Sequence, residues 1–379
     1  MKVALSVDAL SPELTGIGRY CVELVQRLPA IPSVVETTYW RGNDKIPNPW
    51  DLIHGRLPPR PKIPWIHRRV RRLATRLGLR GQDADWPRFR DYDIFHAPNF
   101  MLPPWVEHGV TTVHDLSVVR YPETHPQARI AAFQRDFSSS LARSTHIITP
   151  TEAVRNEVLD YTGFDPRRVT AVPMGVGAHF EAWPEARRAP VLDRLRLPRS
   201  GYGLTVSTLE PRKRIDLLVA AWGRLPVALR RRFPLVICGA SGWENDILHD
   251  KIREAAAEGW LIPLGYVREE DLPPLYSGAT IFVYPSLYEG FGLPPVEAMA
   301  CGVPTLVADS SCLPEVTAGA SMLVDPEDGD GFTLALQQGL TDDCWRRATI
   351  DRGNLVAQGY SWDICIDKTL DVYRIASQS

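Results

Sequence analysis

Glu289 and Glu297 flank a glycine-rich bend in the stretch YEGFGLPPVEAMACG, residues 288–302. Backbone amides that are free at the start of a helix point at a ligand, and the helix dipole favours a phosphate there. The amides near Gly292 and Leu293 are expected to be of this kind. Because a bound diphosphate repels a carboxylate, the two glutamates are better suited to accept hydrogen bonds from sugar hydroxyls. The stretch therefore predicts a site for a phosphate and a sugar.

The elements around the bend agree with this interpretation. Residues 281–285 are predicted to form a buried strand, and the Pro-Pro pair at 294–295 suits the first turn of a helix, where a missing N–H costs nothing. Gly302 is expected to end that helix. Glu297 would then lie in the first helical turn and Glu289 across the bend. The alternative is that Glu297 only complements the helix dipole and Glu289 is a solvated loop acid.

A cluster of cations follows another predicted strand, residues 203–207. The next segment reads TLEPRKR, residues 208–214. When a bond to a phosphate leaving group breaks, negative charge grows on that phosphate, and fixed donors stabilise it by roughly 3 to 4 kcal/mol each. Arg212 and Lys213 are candidates for this role. The alternative is a solvated turn before the next helix.

Both segments resemble the signature of retaining GT-B glycosyltransferases of family 4, in which a Glu, seven residues and a second Glu hold a nucleotide-sugar. The resemblance covers most of the chain. It implies that Glu297 binds the ribose, that Glu289 binds the transferred sugar, and that Arg212 and Lys213 bind the diphosphate. Ser207 stands where relatives carry Gly or Arg, so we expect no third cation there.

The first half of the chain is expected to supply the acceptor side. After the opening strand, the segment TGIGRY contains Gly16 and Gly18 and leads into an amphipathic helix predicted over residues 20–28. A loop of this kind lets the backbone approach a ligand closely. By itself this glycine spacing often only turns the chain, but its place after the first strand matches the family.

His114 and Asp115 follow a predicted strand and resemble a pair found in the same family. The resemblance implies that His114 touches the transferred sugar. The alternative is an ordinary loop histidine that its neighbour caps. Asn99 and Thr151 follow other predicted strands and are weaker candidates.

Four residues are expected to be catalytic: His114, Arg212, Lys213 and Glu289. The expected donor-binding residues are Gly16, Gly18, Ser207, Arg212, Lys213, Val267, Glu289, Gly290, Phe291, Gly292, Leu293 and Glu297.

Composition agrees with a globular enzyme. The chain has 379 residues, of which 44% are hydrophobic and 23% charged, and these values are typical of soluble proteins with two or three domains. A formal charge of −2 gives no general attraction to nucleic acid, so no nucleic-acid partner is expected. The six cysteines show no paired metal spacing, and the chain begins with a strand pattern instead of a signal peptide. These features predict a reduced, cytoplasmic protein.

Short apolar runs alternate with helical patterns along the chain, as parallel α/β sheets require. The expected fold is GT-B, with two Rossmann-like domains facing a central cleft. Residues 1–184 would form the acceptor-binding domain and residues 198–358 the nucleotide-sugar-binding domain. The segment 178–200 favours a hinge, and the resemblance implies that a helix within residues 359–379 crosses back to the first domain.

Two acid pairs look like metal ligands, but their context argues against that role. Asp91 and Asp93 lead directly into a hydrophobic strand, and Asp328 and Asp330 lie in a polar turn. Since cations and helix amides are available to neutralise phosphate, we expect no metal and no other cofactor.

One charge run is unusual. The segment from Arg56 to Arg80 contains eight arginines, one lysine and no acidic residue, with apolar residues at helical spacing. A basic amphipathic helix of this kind binds an anionic membrane surface, where each cation contributes about 1 kcal/mol. A core-packed helix with a solvated basic face is the alternative. Peripheral attachment to the inner face of the cell membrane therefore stays open.

The expected function is retaining transfer of a hexose from a nucleoside diphosphate sugar to a saccharide or polyprenyl-linked saccharide in surface polysaccharide biosynthesis. The resemblance is greatest to bacterial polysaccharide mannosyltransferases, which favours GDP-mannose, while UDP-sugars and deoxyhexose nucleotides remain open. No carboxylate is clearly placed as a nucleophile, so the family's front-face path is expected. The alternatives are a sugar-nucleotide epimerase, a glycan phosphorylase and a catalytically silent sugar-nucleotide-binding protein.

Overall fold

The computed structural model describes residues 1–57, 91–240, 242 and 246–378. The basic segment that begins at Arg56 lies outside these residues, except for Arg56 and Leu57. All statements below concern the described part of the chain.

The first sheet has seven strands within the described residues. Their order is β3-β2-β1-β4-β5-β6-β7. Strand β1 pairs in parallel with β2 and β4, and the short β3 is antiparallel to β2. The strands are β1 (Lys2–Ser6), β2 (Glu36–Arg41), β3 (Asp44–Ile46), β4 (Ile94–Ala97), β5 (Gly109–Thr112), β6 (Ser144–Thr149) and β7 (Val169–Ala171).

Five α-helices accompany these strands in the described residues: α1 (Gly16–Arg27), α2 (Trp50–Ile53), α3 (Ser117–Arg120), α4 (Gln127–Leu141) and α5 (Glu152–Thr162). The first begins earlier than the sequence predicted. The hydroxyl of Thr15 accepts a hydrogen bond from the Gly18 amide at 3.2 Å and so caps the helix. Gly16 and Gly18 therefore lie in the first helical turn, and the prediction of a glycine loop ahead of a helix at Tyr20 was wrong.

The second sheet has six parallel strands in the order β10-β9-β8-β11-β12-β13, again within the described residues. The strands are β8 (Tyr202–Val206), β9 (Leu235–Cys238), β10 (Leu261–Gly265), β11 (Ala279–Tyr284), β12 (Thr305–Ala308) and β13 (Ser321–Val324). Strands β8 and β11 are neighbours, with Leu204 opposite Phe282. Their carboxyl ends therefore place the loops that follow them side by side, where ligands bind in open α/β sheets.

This half of the chain has a continuous apolar core that includes Tyr202, Trp222, Tyr276 and Phe282. The remaining described α-helices are α6 (Glu185–Arg194), α7 (Ile215–Gly223), α8 (Val227–Arg232), α9 (Asp246–Ala257), α10 (Leu272–Gly278), α11 (Leu293–Ala300), α12 (Leu313–Thr317), α13 (Gly329–Thr341), α14 (Asp343–Gln358) and α15 (Trp362–Ala376). The region that the sequence favoured as a hinge contains α6. Its Leu192 is fully buried, so much of this region belongs to a packed domain.

The chain divides into two compact units. The first comprises residues 1–112, 139–146 and 373–379, and the second comprises residues 113–138 and 147–372. Within the first unit, the Tyr373 hydroxyl of α15 lies 2.7 Å from Nδ1 of His96 in β4. The domain bounds drawn from the sequence stay a prediction.

Candidate functional site

Two loops of the second unit form the centre of the site. One follows β8 and contains a short 3-10 helix, Pro211–Lys213, which ends at Arg214 in the left-handed conformation. The other follows β11. The backbone amide of Leu287 in the second loop donates to the carbonyl of Arg212 in the first at 2.9 Å. This bond joins the loops directly and holds the two cations beside the glycine-rich bend.

Arg212, Lys213 and Glu289 form a buried ion cluster. Each residue is 8% exposed. Lys213 Nζ lies 2.5 Å from Glu289 Oε1 and 3.0 Å from the Tyr284 hydroxyl. Arg212 Nη1 lies 3.4 Å from Glu289 Oε2 and donates to the Tyr288 carbonyl. The structure thus brings together both predicted cations and the predicted sugar-binding acid, so the solvated alternatives for these residues do not hold.

The charges in this cluster depend on one another. Burial alone would raise the pKa of Glu289, but Lys213 and Arg212, with a hydrogen bond from the Ser286 hydroxyl at 2.6 Å, lower it to about 2. Burial lowers the pKa of Lys213, and Glu289 opposes this change. Glu289 is therefore an anion at neutral pH, held by two donors that would also suit a diphosphate.

Arg212 has further acidic neighbours that hold its charge. Its Nη2 lies 3.6 Å from Glu210 Oε2. Burial disfavours its charged form, but Glu289, Asp115 and Glu210 outweigh burial and raise its pKa. Burial would raise the pKa of Asp115, yet Arg212 and hydrogen bonds from Ser117 lower it. Arg212 is therefore a permanent cation that several carboxylates orient.

His114 lies against the glycine-rich bend. A Cβ atom built on Gly290 would come within 1.8 Å of the His114 carbonyl oxygen, so only glycine allows this close approach. The Thr151 hydroxyl donates to the Gly290 carbonyl at 3.0 Å and also caps α5. His114 is 6% exposed. The backbone of the predicted catalytic histidine therefore packs directly on the bend, and Thr151 has a structural role there.

The helix after the bend differs from the prediction in one respect. Gly292 adopts φ +84° as the N-cap, and α11 begins at Leu293. The sequence predicted Glu297 in the first helical turn, but it lies beyond that turn. The residue is 2% exposed, and its carboxylate accepts a hydrogen bond from the Tyr276 hydroxyl at 2.9 Å. Because Glu297 lies beyond the first turn, the alternative that it is a first-turn partner of the helix dipole does not hold.

Other predicted donor-binding residues are placed around this centre with less direct roles. Phe291 packs edge-on against Tyr360, with ring centroids 5.3 Å apart. Ser207 is buried at the end of β8, and its hydroxyl makes no hydrogen bond within the described residues. Val267 is partly buried and packs on the core of the second sheet. Donor binding by these three residues stays a prediction.

Three predicted residues belong to the first unit. Gly16 and Gly18 lie in α1, and the carbonyl of Asn99 accepts from the Met101 amide at 2.7 Å. They lie in a different unit from the ion cluster, and their role in ligand binding stays a prediction.

Three of the four acids that resemble metal ligands have structural partners. Asp93 Oδ2 accepts from the Lys2 amide at 2.7 Å, and Asp328 caps α13 through the Gly331 amide at 2.8 Å. Asp330 pairs with Arg224. Across the described ranges, no group of three or more His, Cys, Asp or Glu residues could hold a metal ion.

Sequence reasoning missed several polar residues of the site. Tyr284 and Ser286 contact the ion cluster, and the Ser311 hydroxyl accepts from the Glu289 amide at 2.9 Å. Tyr276 holds Glu297. Tyr284 ends the strand that leads into the bend and Ser286 follows it closely, and this position could have indicated them. Tyr276 and Ser311 come from α10 and from the loop after β12, and no local pattern indicates them.

Two family models cover most of the chain. The model described as Glycosyltransferase Family 4 matches residues 14–180, and the model described as Glycosyl transferases group 1 matches residues 198–356.

Within the described part of the chain, no helix combines the length and apolar character that a membrane span requires.

Relatives with curated names agree with these matches. The chain is 36% identical over 386 residues to the O-antigen chain mannosyltransferase B of Escherichia coli, and the similarity covers 99% of this chain and 100% of the relative. It is 30% identical over 266 residues to the serotype-specific mannosyltransferase WbdA of the same species, covering 68% of this chain and 32% of that protein.

Solved structures show the same fold. The sucrose-phosphate synthase of Thermosynechococcus elongatus matches with a TM-score of 0.72 and 21% identity, over the full length of both chains. WaaG, a glycosyltransferase involved in lipopolysaccharide biosynthesis, matches with a TM-score of 0.72 and 16% identity, covering 98% of this chain and 99% of WaaG. At these identities the likeness concerns the fold, which is GT-B.

Proposed function

Since the chain belongs to the family 4 GT-B glycosyltransferases and is similar to bacterial mannosyltransferases, we propose that it transfers mannose from GDP-mannose to a saccharide or polyprenyl-linked saccharide, with retention of the anomeric configuration. The product would be a building block of an O-antigen or a related surface polysaccharide. The similarity over the whole chain to an O-antigen mannosyltransferase supports the sugar and the pathway class. The ion cluster of Arg212, Lys213 and Glu289 supports the reaction type.

The two cations act on the leaving group. The guanidinium of Arg212 and the ammonium of Lys213 lie in a site that is almost closed to water, where electrostatic stabilisation is strong. As the bond between C1 of the donor mannose and the diphosphate oxygen breaks, negative charge develops on that oxygen. The joined loops hold the backbone of both cations in place. Once the diphosphate has replaced Glu289 as their partner, both charges are positioned before the chemical step.

Glu289 has a different task. In the structure it accepts a hydrogen bond from Lys213 and forms an ion pair with Arg212. A diphosphate competes for the same donors, so donor binding leaves carboxylate oxygens of Glu289 available for sugar hydroxyls. His114, whose backbone packs on Gly290, would contact the same sugar, and the buried Glu297 would bind the ribose.

Bond making follows a front-face path. The acceptor oxygen forms its bond to C1 on the face that the diphosphate leaves, and the acceptor's hydroxyl proton passes to an oxygen of the departing diphosphate. Glu289 is paired with two cations, which suits an orienting group better than a nucleophile. The products are GDP and an α-mannoside.

The cations are sufficient to neutralise the diphosphate, so we propose that transfer needs no metal. Activity should survive complete chelation by EDTA. Loss of activity with EDTA and its recovery with magnesium or manganese would show that a metal ion neutralises the diphosphate instead.

The cytoplasmic enzyme would reach a polyprenyl-linked acceptor through its basic segment. The composition of residues 56–80 supports peripheral attachment to an anionic membrane surface. Replacing Arg68, Arg69, Arg71 and Arg72 together should weaken binding to anionic liposomes at low salt. If the variant and the wild type sediment alike, the segment does not attach the enzyme.

Donor choice is tested by heat stabilisation. The purified protein is heated with GDP, UDP or dTDP, and separately with nucleotide-sugars that carry each of these nucleotides. GDP-mannose should raise Tm most, because a ligand that binds only the folded state stabilises it by mass action. A larger rise in Tm with a UDP-sugar or a dTDP-sugar would make that nucleotide-sugar the donor in place of GDP-mannose.

A further inference from the structure

A cavity of about 200 Å³ lies beside the glycine-rich bend in the second unit. Its walls come from the end of α3, from α5 and from the loops after β11 and β12. The lining residues are Arg120, Tyr121, Glu157, Tyr288, Ser310 and Ser311. We propose that this cavity is a monosaccharide subsite that binds the terminal hexose of the acceptor. The proposal rests on the proposed function and deepens it.

The chemistry of the walls suits a pyranose ring. The rings of Tyr121 and Tyr288 lie 5.3 Å apart at an angle of 48°. Aromatic side chains combine an apolar face with a polar tip, so they can pack on the C–H face of a sugar and bond its hydroxyls. A carboxylate at Glu157 accepts hydrogen bonds and a guanidinium at Arg120 donates them, which matches hydroxyls that do both.

The cavity is built from residues that are already held in place. The Tyr288 hydroxyl donates to Glu157 and accepts from the Leu116 amide at 3.0 Å. Burial and the neighbouring Glu157 raise the pKa of Tyr288, so this hydroxyl keeps its proton. Ser310 Oγ donates to the Leu287 carbonyl at 2.5 Å. A preformed wall loses little conformational entropy when a ligand binds.

One residue links this cavity to the ion cluster. The carboxylate of Glu289 faces Lys213, whereas its backbone amide donates to Ser311 Oγ in the cavity wall. Ser311 holds φ at +51°, an uncommon conformation for a residue with a side chain, and so presents its hydroxyl to that amide. A sugar in the cavity would therefore lie next to the residue that orients the donor sugar.

A hexose in this cavity belongs either to the donor or to the acceptor. The donor diphosphate is assigned to Arg212 and Lys213, and within the described residues neither lines the cavity. The donor sugar already has Glu289 and the bend as partners. The cavity supplies a separate set of aromatic, acidic and basic groups. Because the donor does not need this set, we assign the hexose in the cavity to the acceptor.

The test replaces two polar wall residues, with Glu157→Gln and Arg120→Ala as the variants. Asp160→Asn is the matched control, because Asp160 is an exposed acid on the same helix. Steady-state kinetics with GDP-mannose and a mannoside acceptor give KM for each substrate. Each wall variant should raise the acceptor KM by about tenfold or more, equivalent to about 1.4 kcal/mol, with a much smaller change in the donor KM. The control should match the wild type.

Binding of methyl α-mannopyranoside, measured by saturation-transfer NMR in the presence of GDP, separates the possible failures. Binding that Glu157→Gln weakens supports the subsite even if the protein transfers no mannose, in which case the proposed function alone fails. Unchanged binding and unchanged acceptor KM in both wall variants would overturn the subsite. A rise confined to the donor KM would assign the cavity to the donor sugar and overturn the proposal as stated.

Discussion

Lys213 Nζ lies 2.5 Å from Glu289 Oε1, so the cation expected to hold the donor diphosphate contacts the carboxylate expected to hold the donor sugar. The pair is buried, and removing one partner of such a pair leaves an uncompensated charge. We therefore expect donor binding to exchange this contact for contacts to phosphate and sugar. This exchange makes the roles of the two residues separable by experiment.

Replacing a cation should lower turnover. In Lys213→Ala and in Arg212→Ala, the charge that stabilises the leaving diphosphate is lost, and we expect kcat to fall by at least about tenfold, or about 1.4 kcal/mol. The acceptor KM should change much less. Initial rates at saturating donor measure the effect, and Lys251→Ala on α9 is a control at an exposed lysine. Near wild-type kcat in both single variants would remove these residues from the mechanism.

The two glutamates should not be interchangeable. Glu297→Gln should weaken GDP binding by about tenfold, because an amide keeps the Tyr276 contact but is a poorer acceptor for the ribose hydroxyls. Glu289→Gln should leave GDP affinity equal or tighter, since the diphosphate no longer competes with a carboxylate for Lys213.

Titration calorimetry with GDP compares the two glutamate variants with the wild type. Equal weakening in both would mean that the separate roles of ribose binding and sugar binding are wrongly assigned.

The Glu289 ion cluster should make stability pH-dependent in acid. The pKa of Glu289 falls from 4.5 to about 2 in the folded protein, so its stabilising effect is complete above about pH 4.5 and is lost as pH falls towards 2. The wild type should exceed Glu289→Gln in Tm at neutral pH, and this difference should shrink below about pH 4.5. Thermal unfolding monitored by circular dichroism across that range measures it. A difference in Tm that stays constant with pH would show that the charge of Glu289 contributes nothing to stability.

Gly290 should tolerate no side chain. A Cβ atom there would lie 1.8 Å from the His114 carbonyl, and neither backbone can move without disturbing the bend. Gly290→Ala should destabilise the protein by about 1 to 3 kcal/mol and lower activity. Gly223→Ala is the control, because the new methyl group would meet only Trp260 atoms at 3.8 Å. Equal Tm and activity in both variants would show that the close approach is not required.

Much of this site could be predicted because its chemistry lies in local sequence. The bend and the cations follow strands with near-continuous apolar patterns, and parallel sheets bury such strands on both faces. Strands β2 and β13 were not predicted, because β2 is polar and only partly buried and β13 is short and partly exposed. The positions of β2 and β13 depend on their pairing with β1 and β12, respectively. A local sequence pattern does not indicate such pairing.

The helix limits and the supporting residues were harder to predict. The start of α1 depends on a cap at Thr15, and this cap moved two glycines from a loop into a helix. The first turn of α11 ends before Glu297, because Gly292 and not a later residue is the N-cap. Tyr276 and Ser311 reach the site only through the packing of the second sheet. Boundaries and long-range partners of this kind require the tertiary structure.

The central claim is retaining mannosyl transfer from GDP-mannose, and NMR of the reaction products tests it most directly. The protein is incubated with GDP-mannose and methyl α-mannopyranoside, with water as a competing acceptor, and the anomeric signals are followed from the first turnovers. The proposed function predicts GDP together with α-mannoside, or α-mannose before mutarotation where water accepts. Products with the β configuration, or consumption of another nucleotide-sugar with GDP-mannose left intact, would contradict it.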